Sequence, residues 1–173
     1  EAFYPAQILK GSECYIQPVQ YYSKDSFGKL ALPMYAQGNT ESLLFEHYFG
    51  ILKLRIAGEG EISSISIKDN AEGNICGIYT QNGSELSWSQ IQSSQICLNC
   101  VDSSTLKGIS LSASGTDFYI CLPPKEYSQG FTITISGIDG HACTVVSSTP
   151  RVITKGTILQ TPVIDYTYPA NQI

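Results

Sequence analysis

Apolar and polar residues alternate along most of the chain, in short runs separated by turn residues about every eight to twelve positions. Leu52, Leu54 and Ile56 fall on one face of a predicted strand and Lys53 and Arg55 on the other, so one side packs and the other meets water. The turn Gly58-Glu59-Gly60 leads into residues 61–68, where Ile65 and Ile67 keep phase and Ile62 breaks it, which predicts a bulge or a late strand start. Residues 74–80 read as the next strand. Asn82-Gly83 then reverses the chain into residues 85–88, with Leu86 and Trp88 on a shared face. After a strand at residues 96–101, Phe118, Ile120 and Leu122 alternate cleanly. Pro123-Pro124 ends that run, because proline has no N–H to give a central ladder.

The best hairpin signal lies in the last third. Phe131, Ile133 and Ile135 alternate with Thr132, Thr134 and Ser136, Asp139-Gly140 offers a two-residue turn accepting positive φ at both positions, and residues 142–146 return. Val152-Ile153 and residues 157–159 add short strands, and the tail from Thr161 to Pro169 is extended, with Val163 opposite Ile164. Residues 1–40 mix Tyr, Pro and Gly with extended fragments at 14–20 and 32–36, and read as edge strands and long connections. Residues 42–48 leave room for a helical turn. No internal repeat, low-complexity tract or linker stands out, so residues 1–173 are expected to form a single β-sandwich or barrel domain.

Composition agrees with that pattern. At 173 residues the chain is long enough to build a core without staples, burying about 70% of its extended surface. Only 14% of residues are charged, and Ser, Thr, Ile, Tyr and Gly suit strands and tight turns. Apolar runs such as 49–52 fall far short of the roughly 20 residues a membrane helix needs. A net charge of −5, a pI near 4.9 and ten scattered basic residues make nucleic acid and anionic membrane poor partners. The chain opens at Glu1 with neither initiator Met nor hydrophobic signal, as expected of a processed or trimmed chain, in which any export signal or lipid-anchoring Cys would stand upstream of the sequence read.

The inventory for chemistry is thin, and no catalytic, cofactor-binding or metal-binding residue is assigned. Six cysteines, at 14, 76, 97, 100, 121 and 143, permit three disulfides in an oxidising compartment. Cys97-x-x-Cys100 has the spacing of a metal or redox pair, yet on a strand residues three apart point to opposite faces, which disfavours chelation by both. His47 reads as a packed or partly exposed strand residue and His141 as an exposed hairpin residue. The stretch from Ser110 to Gly115 lacks the leading glycine and following helix of a serine-hydrolase elbow. Glu59 with Glu61, and Asp69 with Glu72, are carboxylate pairs that flank turns and read as solvated turn chemistry. No enzyme is expected. Aromatics are the remaining lead, because Trp88 and tyrosines such as Tyr21, Tyr22, Tyr35 and Tyr119 either cover sheet faces or form a sugar-stacking platform.

The order of short motifs resembles the fimbrillin-like family of Bacteroides-type bacteria, which are exported surface lipoproteins or fimbrial subunits. The likeness is carried by Phe3-Tyr4-Pro5-Ala6, by Gln17-Pro18-Val19-Gln20 with Tyr22, and by Leu32-Pro33-Met34-Tyr35-Ala36. It continues through residues 44–54 and 62–67, and through Phe118-Tyr119-Ile120-Cys121-Leu122-Pro123-Pro124 and Gly130-Phe131-Thr132-Ile133-Thr134-Ile135. The resemblance implies an all-β, Greek-key β-sandwich of the transthyretin-like kind at the outer-membrane or extracellular surface. It also implies adhesion or fimbrial assembly with other fimbrial or surface subunits by β-strand addition, and contact with host or bacterial surface ligands. Polymerising relatives are opened by an Arg-directed protease near the N-terminus, whereas here the first arginine is Arg55, inside a core strand. The rival expectation is a non-catalytic carbohydrate-binding module of a surface glycan-capture system. The tail from Thr157 to Tyr168 is either the last sandwich strand or an exchangeable one.

Overall fold

Leu52, Leu54 and Ile56 are fully buried in the strand Gly50–Gly58, as their spacing requires, and they anchor one of two sheets that share the core. The computed structural model describes residues 2–4, 13–39, 42–82 and 85–166. Among these there is no helix, and the architecture is an all-β sandwich.

The larger sheet runs in the order Ala142–Ser147, Phe131–Gly137, Glu61–Asp69, Gln95–Asn99 and Val19–Tyr21, with the two-residue strand Ile109–Ser110 also on Glu61–Asp69. Its neighbours are antiparallel except Val19–Tyr21, which lies parallel to Gln95–Asn99. In the second sheet Thr116–Leu122 pairs antiparallel with Gly50–Gly58, and two tail strands, Ile158–Gln160 and Ile164–Tyr166, lie parallel to it. Residues 158–160 and 164–166 of the tail thus pair within this chain. Side chains of both sheets, including Ile65, Ile67, Ile96 and Leu98 from one and Leu54, Phe118 and Ile120 from the other, join one hydrophobic cluster. Each such aliphatic burial contributes about 1.5–3 kcal/mol before entropy is counted.

Ile62, out of phase with Ile65 in the sequence, is nevertheless fully buried, and a β-bulge is the reason. Ser136 faces Ser64 while Gly137 faces Ile62, leaving Ser63 as the extra residue. The Ser63 hydroxyl donates to the carbonyls of Ser136 and Gly137 at 3.0 and 3.1 Å, which fixes the irregularity in place. At the other end of the same strand pair Gly130 adopts φ +69, and a Cβ there would strike the carbonyls of Ser147 and Thr149, so glycine is required.

Several expectations change in detail. Residues 42–48 hold no helical turn, because Ser42–His47 is a strand paired with Met34–Asn39, itself central between Ser42–His47 and Ala2–Tyr4. Within residues 1–40, Glu13–Ile16 and Val19–Tyr21 are edge strands as read, but Met34–Asn39 is not. The hairpin after Gly137 turns through three residues, Ile138, Asp139 and Gly140, and only Gly140 among them has positive φ. A three-residue loop with one left-handed glycine suits the strand twist as well as the two-residue turn. The strand read at 74–80 is Cys76–Asn82, and Asn82 opposes Glu85 of Glu85–Ser93; Gly83 of the expected reversal lies outside the described residues. Tyr168 and Pro169 also lie outside them. The cysteine-bearing strand is Gln95–Asn99, so Cys100 follows it.

The seam between Val19–Tyr21 and Thr116–Leu122 is stitched by one side chain. Gln20 is 1% exposed, its Nε2 donates to the Cys121 carbonyl at 2.8 Å, and its Oε1 accepts the Cys121 N–H at 2.9 Å. The amide thus occupies the place a neighbouring strand would take beside an edge. Tyr22 packs on Phe118 at 5.4 Å between ring centroids and extends the closure.

Replacing Gln20 with Ala strands a buried N–H and C=O, and the expected cost is about 1–3 kcal/mol for each unmet group. Urea unfolding checks it: the midpoint falls while the slope stays unchanged. Asp69→Ala is expected to cost about 3–5 kcal/mol, because Asp69 is 1% exposed and ion-paired with Lys125 at 2.6 Å, leaving the ammonium uncompensated.

Candidate functional site

The residues with catalytic potential are held apart and engaged in structural roles. Asp69 faces Lys125, and its Oδ1 accepts the Ala71 N–H at 2.9 Å, whereas Glu72 points outward and pairs with Lys68. Glu61 accepts the Gly108 N–H at 3.2 Å, and Glu59 is exposed in the neighbouring turn. His141 sits beside the hairpin loop, its backbone N–H donating to Asp139 Oδ1 at 3.0 Å. His47 ends an edge strand with Nδ1 buried and unbonded. Among the described residues no group of three or more His, Cys, Asp or Glu side chains is arranged to hold a metal.

All six cysteines are free thiols. Cys97 is half-buried on its strand, while Cys100 is buried with its Sγ directed at the Leu98 carbonyl, 3.7 Å away. Burial pushes Cys14 and Cys100 up to about 12, and it pushes Cys121 up as well. A raised thiol pKa favours the neutral form, so these groups stay protonated and weakly nucleophilic through the physiological range.

Aromatic side chains divide in a way the sequence does not show. Tyr79 and Tyr127 are fully buried, and a run of ring contacts leads inward from the surface: Tyr35 to Tyr48 at 4.5 Å, Tyr48 to Phe49 at 6.5 Å, Phe49 to Tyr79 at 5.9 Å and Tyr79 to Trp88 at 5.1 Å. Trp88 is thus a packing residue. Tyr21 is 56% exposed on the edge strand Val19–Tyr21, and Tyr119 lies under the Lys53 ammonium.

A groove marks the second seam of the sandwich. Opposite the edge closed by Gln20, Ala142–Ser147 ends the larger sheet and the tail strands end the other, and between them runs a groove of about 350 Å³. Leu52, Phe131, Ile133, Val145, Leu159 and Ile164 give it a mainly aliphatic lining, with Arg151 and Asp165 also on its wall. Pro162 has no N–H to extend pairing between the two tail strands. The adjacent Thr161 also lines the groove, its Oγ1 buried without a hydrogen-bond partner. Val146, Ile158 and Val163 on the bordering segments are 66%, 57% and 53% exposed. Two edge strands flanking an apolar groove present unpaired main chain together with sockets for alternate side chains.

No protein-family model matches the chain, and no curated protein matches it. A solved structure described as a "putative cell adhesion protein" from Bacteroides uniformis is similar in fold, with a TM-score of 0.51 and 14% sequence identity. The likeness covers 95% of this chain and 66% of that one, so the chain spans about two thirds of its neighbour's length. At this identity the likeness is one of fold. No helix among the described residues is long and apolar enough to cross a membrane.

Timed alkylation by iodoacetamide, read by mass spectrometry, tests the thiol assignment. Cys97 and Cys143, both half-exposed, are expected to react first in the folded protein, with Cys14, Cys100 and Cys121 labelled only on unfolding.

Proposed function

We propose that this chain is a cell-surface adhesion or fimbrium-related subunit that works through its strand edges and loops and catalyses nothing. The observation that carries the reading is the open seam, where an aliphatic groove of about 350 Å³ lies between two edge strands. An extended segment of another subunit entering there gains main-chain hydrogen bonds from Ala142–Ser147 or the tail, and its alternate side chains replace water against Leu52 and Ile133. The fold neighbour described as a cell adhesion protein supports the same reading by analogy, a weaker warrant than the groove. The surface location, the fimbrial role and an upstream lipid anchor rest on the resemblance in the motifs quoted above.

Short extended peptides alternating β-branched and polar residues test the site. They are expected to bind by calorimetry with a negative heat-capacity change, because apolar surface is removed from water. Val145→Lys places an ammonium on the groove wall and is expected to abolish binding. Peptides that bind equally well to Val145→Lys, or none that bind the unaltered chain, would contradict the reading.

A further inference from the structure

Among the described residues that line the groove at the second seam, Arg151 is the basic one, and strand register decides which way it faces. Arg151 directly opposes Tyr127 in the antiparallel pair Glu126–Tyr127 and Arg151–Val152. Directly opposed residues of such a pair share a face, so Arg151 lies on the side of Tyr127, while Glu126 and Val152 lie on the other. Tyr127 is fully buried, and its ring packs 4.5 Å from that of Phe131, which lines the groove as well. Arg151 is therefore turned toward the Phe131 end of the groove, where Ser147 opposes Phe131.

No carboxylate among the described residues pairs with Arg151. The acidic groups that register brings near it are engaged or turned away. Asp69, opposite Phe131, is ion-paired with Lys125 at 2.6 Å, and Glu126 lies on the far face of its strand. Asp165 belongs to the other end of the groove, opposite Ala57, and it sits between the buried residues Ile164 and Tyr166, so its side chain points to the outer face of the tail strand. The chain carries a net charge of −5, yet the cation at this end of an aliphatic groove is left without an anion. The tail wall adds a second unmet group, the buried Oγ1 of Thr161.

Resting on the reading that an extended segment of another subunit enters this groove, we infer that the segment leads with an acidic side chain held by Arg151 and carries apolar side chains two and four positions later. A guanidinium presents a planar fork that takes both oxygens of a carboxylate, so it selects an acid over its amide. Alternate residues of an extended chain face the same way, so the acid and the two apolar side chains all enter the groove, the latter against Ile133, Val145 and Leu52. The direction follows from the edge strand. Ser147 faces Phe131 while Ala142 faces Ser136, so Ala142–Ser147 runs toward the Arg151 end. A segment antiparallel to it, the more stable ladder, begins at Arg151, and its acidic residue precedes its apolar ones.

Calorimetry with three end-capped peptides tests the assignment: Asp-Thr-Val-Thr-Val-Thr, the same peptide with Asn in place of Asp, and Thr-Val-Thr-Val-Thr-Asp. The first is expected to bind about tenfold more tightly than either of the others at low salt, with the margin shrinking as salt is raised. Arg151→Gln should erase the preference for Asp over Asn while leaving the Asn peptide's Kd and the melting temperature unchanged. Equal binding of the Asp and Asn peptides, both lost in Val145→Lys, would overturn the role of Arg151 and leave the groove as a strand site. Tighter binding of the acid-last peptide would overturn the direction, and an equal loss of both the Asp and Asn peptides in Arg151→Gln would reduce Arg151 to a structural residue. Failure of all three peptides to bind would overturn the groove reading and this inference together.

Discussion

The sandwich depends on how its two sheets meet along their lateral edges, more than on how they meet face to face. Facing aliphatic residues, centred on Ile62, Ile65 and Ile67 of one sheet and Leu52, Leu54 and Ile56 of the other, bring the layers together without fixing their borders. On one border Gln20 fixes them by pairing its amide with the Cys121 backbone. On the other, the tail's Tyr166 hydroxyl donates to the His141 carbonyl beside Ala142–Ser147 at 3.4 Å, and an apolar groove remains along the rest of the border. A buried amide that meets both halves of a peptide unit is worth more in the interior than at the surface, because the alternative is two unpaired groups cut off from water. The asymmetry follows directly: one edge is locked to its neighbour by a buried amide and the other is bordered by a groove.

The same logic places the polar interactions. Lys53 and Arg55, on the wet face of their strand, both reach Asp117 on the neighbouring strand, at 2.9 and 3.4 Å, so a solvated stripe is also a cross-strand tie. Lys125 and Asp69 do comparable work where the larger sheet turns toward the two-stranded pair Glu126–Tyr127 and Arg151–Val152. The thiols contribute as small apolar groups, with no disulfide cross-link, so cohesion comes from packing and hydrogen bonds.

Much of the fold was legible because period-two burial is a local property. Phe131, Ile133 and Ile135 point inward as their alternation requires, and the lost phase at Ile62 correctly marked a bulge. The strand Ser42–His47 was harder to read, because both of its faces are exposed and Leu43, Leu44 and Phe45 are consecutive apolar residues with no alternation. Gln20 looked like an ordinary polar strand residue; only contact with Cys121, 101 positions away, makes it a structural amide. The candidate groove was invisible in the sequence. It exists because the tail returns beside Gly50–Gly58, a juxtaposition set by strand order rather than by local pattern.

Native-state amide hydrogen exchange compares the two borders in one experiment. The account predicts that the Cys121 amide, although on an edge strand, exchanges as slowly as the core amides of Glu61–Asp69, while the outward amides of Ala142–Ser147 exchange orders of magnitude faster. Fast exchange at Cys121, or protection of the outward amides of Ala142–Ser147 in the isolated chain, would contradict it.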